Sequence, residues 1–221
     1  MISGSYVLLI IVTLAIGGAA TFYVNSRLKH YRNVPASNGL TGAEAARRML
    51  SYYGIAGVAV HRGGPGQDFF DPRTNSITLS PDSYDGRSVT ALATACHETG
   101  HAYQFAEGYT PMKVRSAIVP AVNLASNAWM ILLMIGIAMQ IAQLTDLAII
   151  MYAIVVLFAF VTLPVELNAS HRAMTYMGSI ALPASEQKGA FDVLRACALT
   201  YVAAALTSIL QLLWLLGQRD N

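Results

Sequence analysis

Four long stretches of the chain carry almost no charge, and they set the first expectation. Ser5 to Val24 runs without a single charged side chain, over the roughly twenty residues a helix needs to cross a hydrocarbon core. A second run extends from Ala117 to about Ile141, a third from Leu147 to Val165, and a fourth from about Ala196 to Leu216. Gly17, Gly18 and Gly136 lie inside these runs, where small residues let membrane helices pack closely. The first run lacks a positive leading region and is followed at once by Arg27, Lys29 and Arg32. That order reads as an uncleaved anchor with its N-terminus outside, not as a signal peptide.

The polar stretches follow other periods. Thr41 with Glu44 three residues on is a capping-box pattern, and it predicts a helix from Gly42 to about Tyr53, closed by Gly54. Gly57 to Arg62 alternates like a short strand, and Ile77 to Ser80 looks like another. Gly63-Gly64-Pro65-Gly66 reads as a turn; it lacks the Lys-Ser/Thr ending and following helix of a phosphate loop. Asp68, Asp71 and Asp82 have no calcium-loop spacing and read as solvated turn carboxylates. A long helix is expected from about Ser88 to Ala106, capped by Asp85 or Ser88 and stopped before Gly108 and Pro111.

Charge then gives an orientation. Of the fourteen Lys and Arg residues, ten lie between Arg27 and Arg115, and three more (Arg172, Lys188, Arg195) separate the third and fourth runs. By the positive-inside rule both segments face the cytoplasm, with both termini and the link near Gln140 to Asp146 outside. The expected division is therefore an anchor over 1–24, a cytoplasmic catalytic region over 25–116, a transmembrane hairpin over 117–165, a second cytoplasmic segment over 166–195 and a last span with its tail over 196–221.

Composition agrees. The 221 residues are 55% hydrophobic and 12% charged, with net charge +2 and mean hydropathy +0.48; ordinary soluble domains carry about 25% charged residues. A disordered chain and a nucleic-acid binder built on basic patches are excluded. Two cysteines, Cys96 and Cys197, make no disulfide scaffold.

The chemistry concentrates in His97-Glu98-Thr99-Gly100-His101. Histidines four apart on a helix share one face, so both imidazoles reach one ion. Zinc suits such a site, because it takes imidazole and carboxylate ligands and leaves a position for water. Glu98 stands close enough to take a proton from that water without ligating the metal. A catalytic zinc needs a third protein ligand. Glu166 is the leading candidate, because a carboxylate at the mouth of a hydrophobic helix is expensive unless paired or metal-bound. A snorkelling interfacial carboxylate is the plain structural alternative, and His171 competes as ligand. Cys96 points to another side of the helix; His30 and His61 are isolated and read as ordinary polar residues.

Around these residues the chain resembles the bacterial YugP-like family of membrane-bound neutral zinc metallopeptidases. The resemblance rests on Leu40 to Arg47, Asp71-Pro72-Arg73-Thr74, Leu79-Ser80, Gly86 to Val89, His97 to His101, Ala106 to Tyr109 and Pro164-Val165-Glu166. It implies a gluzincin-type zinc peptidase with His97, His101 and Glu166 as ligands and Glu98 as base.

The fold expected is a mainly α membrane protein: about four transmembrane helices plus a small cytoplasmic α+β zincin-like catalytic region with a short β-hairpin or sheet. The function expected is zinc-dependent hydrolysis of peptides or membrane proteins at the cytoplasmic face of a bacterial inner membrane. Arg172 and His171 are candidate donors to the developing oxyanion, and the Asp71 to Ser80 segment is expected to offer an edge strand for an extended substrate. The partners expected are substrate and lipid bilayer, with no nucleic acid; a homo-oligomer or an accessory membrane protein is left open. Two other readings compete: an intramembrane zinc protease, and a non-enzymatic scaffold or transporter subunit with a structural metal site.

Overall fold

Apolar length decides four of the helices, and packing decides the rest. The computed structural model describes residues 4–180 and 182–219. In chain order these form α1 (Gly4–Arg32), α2 (Gly42–Tyr52), β1 (Ala59–Arg62), β2 (Phe69–Asp71), β3 (Ser76–Leu79), the single turn α3 (Pro81–Tyr84), α4 (Val89–Ala106), α5 (Thr110–Met139), α6 (Ala142–Ser179) and α7 (Ala184–Arg219). Among the described residues, α1, α5, α6 and α7 are the four helices long and apolar enough to cross a membrane. The most apolar window of α1 is only 6% buried and that of α6 only 33%. Apolar surface on that scale suits lipid and is foreign to a monomer in water.

The chain divides into two compact units. The first takes the chain up to Thr21, Lys113–Leu163 and the chain from Thr200 on. Its core joins Ile149, Tyr152 and Val156 of α6 to Leu215 of α7, with Trp129 and Leu133 of α5 packed alongside. Gln140, at φ +53, turns the chain between α5 and α6.

The second unit comprises Phe22–Met112 and Pro164–Leu199. Thr41 caps α2 as its sequence predicts: its hydroxyl accepts from the Glu44 amide at 3.2 Å while its own N–H donates to the Glu44 carboxylate at 2.8 Å. Ser88, not Asp85, caps α4, accepting from the Ala91 amide at 3.2 Å. The helix closes at Glu107, and Gly108 follows in the left-handed region at φ +71. Along α4 one face meets Ile77 and Leu79 of β3 with Ala46 and Leu50 of α2. Another meets Met49 of α2, Ala173, Tyr176 and Met177 of α6, and Val193 and Leu194 of α7. Helix α4 is thus enclosed on several sides.

The sheet corrects one expectation. Its order is β1-β3-β2, with β3 parallel to β1 and antiparallel to β2. The strand within Asp71 to Ser80 is therefore central, and the outer edges belong to β1 and β2. Strand β2 escaped the sequence reading because Phe69-Phe70-Asp71 is too short to alternate. The following Pro72 to Asn75 segment makes the hairpin turn, with Asn75 at φ +49.

Helix α6 also outruns the third apolar stretch. It continues through Pro164 to Ser179, so Glu166 lies within the helix and not at its end. Beyond the proline, Val165, Ala169, Ala173, Tyr176 and Met177 are buried at helical spacing. Tertiary packing of one face continues a helix that hydropathy alone would end.

Replacing Thr41 with Ala removes one half of the capping box and is expected to destabilise the protein by about 1 kcal/mol, while Thr41→Ser holds near wild type. Thermal unfolding in detergent reads both. The carboxyl of Glu44 is held below its ordinary value, chiefly by the Thr41 N–H. Its contribution is present above the ordinary carboxyl range and lost as pH falls through the depressed value. The gap between wild type and Glu44→Ala should therefore close on acidification.

Candidate metal centre

His97 and His101 stand one turn apart on α4, their ring centroids 4.8 Å apart and their planes at 84°. Opposite them α6 presents Glu166, whose Oε2 lies 3.2 Å from His97 Nε2 and 3.4 Å from His101 Nε2. The three donor atoms fall within 4.8 Å of one another. A tetrahedral shell with ligands about 2.05 Å from zinc has edges of about 3.3 Å, so the two His–Glu separations match the edges of such a shell. The remaining ring nitrogens are engaged elsewhere. His97 Nδ1 meets the Ser170 hydroxyl at 3.1 Å, and His101 Nδ1 meets Gln104 Oε1 at 3.0 Å. Both Nε2 atoms are thereby turned toward Glu166, and the donor set fits a zinc ion.

A close helix contact makes this possible. A Cβ on Gly100 would lie 2.5 Å from the carbonyl oxygen of Ala169. No side chain fits there, so α4 and α6 touch backbone to backbone one residue before His101 and three after Glu166. Any larger residue at position 100 pushes the imidazoles away from the carboxylate.

Glu98 is buried at 8% relative exposure, and no described residue hydrogen-bonds its carboxylate. Burial pushes its carboxyl up from the ordinary range, opposed by His97 and His101. For His101, burial works against the charged form, but the hydrogen bond with Glu166 and the nearby carboxylates outweigh it and raise the imidazole overall. Glu98 is thus a buried carboxyl beside two imidazoles and a second carboxylate.

The other sequence candidates are placed differently. Arg172 Nε donates to Asn168 Oδ1 at 2.7 Å, its terminal nitrogen pairs with the Glu107 carboxylate, and its guanidinium lies 4.2 Å above the Tyr103 ring. It clamps the end of α4 to α6. His171 is exposed, as are His30 and His61. On one continuous helix a residue five positions from Glu166 is rotated by about 140°, so Glu166 and His171 face different ways. Cys96 is fully buried in the core between α4 and its neighbours, and burial pushes its thiol up to about 12. Sequence reading passed over Gly100, Gln104 and Ser170; the Gly inside the pentapeptide was the one available sign of a close approach.

Two imidazoles from one helix, a carboxylate from a second and a buried acid beside them define a candidate metallopeptidase set among apolar helices. The comparisons with known proteins agree. A family model described as "Putative neutral zinc metallopeptidase" matches residues 6–219. The chain is 41% identical over 210 residues to "Putative membrane protease YugP" of Bacillus subtilis (strain 168), covering 94% of this chain and 93% of that protein. No solved structure matches. The chain belongs to this neutral zinc metallopeptidase family, and zinc is the metal that both the family and the His-His-Glu cluster imply.

Gly100→Ala should force α4 and α6 apart and lower zinc affinity by about tenfold or more, the scale of losing correct ligand orientation. It should also destabilise the fold by about 1–3 kcal/mol, as overpacking does. Zinc titration against a competing chelator, with thermal unfolding alongside, checks both.

Proposed function

We propose that this chain is a membrane-bound zinc metallopeptidase that hydrolyses peptide bonds in membrane-associated proteins or peptides. The observation carrying this reading is the meeting of His97, His101 and Glu166: both imidazole Nε2 atoms lie 3.2–3.4 Å from one Glu166 oxygen, and all three donor atoms fall within 4.8 Å of one another. When bound, zinc would supply Lewis-acid polarisation of the attacking water and of the scissile carbonyl. His97, His101 and Glu166 hold the ion. Glu98 takes the proton of the attacking water and returns it to the leaving amine. Arg172 keeps the end of α4 on α6 and so keeps the ligands in register. Its guanidinium remains the candidate for contact with the oxyanion, whereas His171, exposed and turned away from Glu166, does not.

The distribution of Lys and Arg supports placing the second unit at the cytoplasmic face of a bacterial inner membrane. Helix α4 is not among the four helices apolar enough to span, which favours a site beside the bilayer over one inside it. An extended substrate would pair with the outer edge of β2, the strand whose Phe70 packs against Phe105 of α4 with ring centroids 5.7 Å apart.

Glu98→Gln tests the reading in full-length protein purified in detergent. It should retain one zinc per chain and lose about 10²- to 10⁴-fold in the cleavage rate of a labelled unstructured protein such as casein. Glu166→Ala should lose the metal itself. Equal cleavage by wild type and Glu98→Gln would remove Glu98 from its role, and undiminished zinc in Glu166→Ala would break the proposed donor set.

A further inference from the structure

Gln104 is a polar side chain near the metal centre at 0% exposure, and hydrolysis as described assigns it no task. Its amide has one acceptor and one two-proton donor, and every one of these is used. Nε2 donates to the Val165 carbonyl at 2.8 Å and to Asn168 Oδ1 at 2.9 Å, while Oε1 faces His101 Nδ1 at 3.0 Å.

The direction of each bond follows from its neighbour. The Arg172 guanidinium can only donate, so the Asn168 oxygen must be the atom turned to it and to Gln104. With Asn168 Oδ1 and the Val165 carbonyl both accepting, Gln104 must turn its NH2 toward them. Its oxygen is then left for His101. An amide oxygen only accepts, so His101 Nδ1 must carry a proton, and in the neutral ring Nε2 must carry the lone pair. That Nε2 is the atom 3.4 Å from Glu166.

We infer that Gln104 is a positioning residue that, with Asn168 and Arg172 behind it, locks His101 in the tautomer able to ligate metal through Nε2. It also ties that ring to the turn of α6 that carries Glu166. The inference rests on the proposal that His101 is a ligand. His97 has no equivalent lock. Its Nδ1 partner is the Ser170 hydroxyl, which donates or accepts as required.

Full-length protein in detergent is titrated with zinc against a competing chelator, and its cobalt-substituted form is read by visible absorption. Gln104→Met keeps the length of the side chain and loses all three bonds. It should weaken zinc binding about 10- to 100-fold, the range found for outer-shell partners of metal-bound histidines, and alter the cobalt bands. Ser170→Ala should move the affinity less. Asn168→Asp preserves both acceptor bonds and should stay within about threefold of wild type, whereas Asn168→Leu should fall with Gln104→Met. The Asn168 pair carries the test alone if Gln104→Met does not fold. Zinc affinity and cobalt bands unchanged in Gln104→Met, or equal affinities in the two Asn168 variants, would overturn the inference and leave the metallopeptidase reading standing. A wild-type chain that binds no zinc would overturn both.

Discussion

Glu166 is a carboxylate at 2% exposure on a helix that is mostly apolar, and its burial constrains everything around it. A buried charge of this kind survives only where opposite charge or a metal meets it. The two imidazoles come from another helix, so α4 and α6 must approach until their backbones touch. Gly100 against Ala169 is where they do. That contact in turn needs support from behind. Helix α4 receives it from α2 and β3, and Ala173 through Met177 of α6 receive it from Val193 and Leu194 of α7. The small sheet and the polar first turns of α7 are thus scaffolding for one carboxylate.

Sequence patterns exposed the parts of this arrangement that are local. Apolar length marked the four candidate spans, Thr41 and Glu44 marked the start of α2, and the i,i+4 histidines marked the metal-facing side of α4. Each depends only on residues within a few turns of one another. What stayed hidden depends on packing. Hydropathy ended the third apolar run at Val165, yet α6 continues because its next turns are amphipathic and find a core. That continuation also separates Glu166 from His171, which a list of residue types could not do: once both lie on one helix, they face different directions. Strand β2 stayed hidden because three residues carry no readable period.

The amide at position 104 shows why some functional groups resist sequence reading. A glutamine on the histidine-bearing face of α4 gives no sign of which groups it will meet, and its three partners come from two helices more than sixty residues apart. Its chemistry is nonetheless constrained. Metal-bound histidines are often oriented by a carboxylate, but this centre already buries two, Glu98 and Glu166. Burial moves Glu98 toward its neutral form, against the pull of His97 and His101. A neutral amide fixes the same ring orientation without adding charge. The donor-only guanidinium of Arg172 sets the polarity of the whole chain of bonds from outside the ligand shell, while its charge is matched by Glu107 at the end of α4. Orientation and charge are therefore supplied by different residues: the Gln104 amide fixes the His101 ring, and Glu166 supplies the negative charge that faces it.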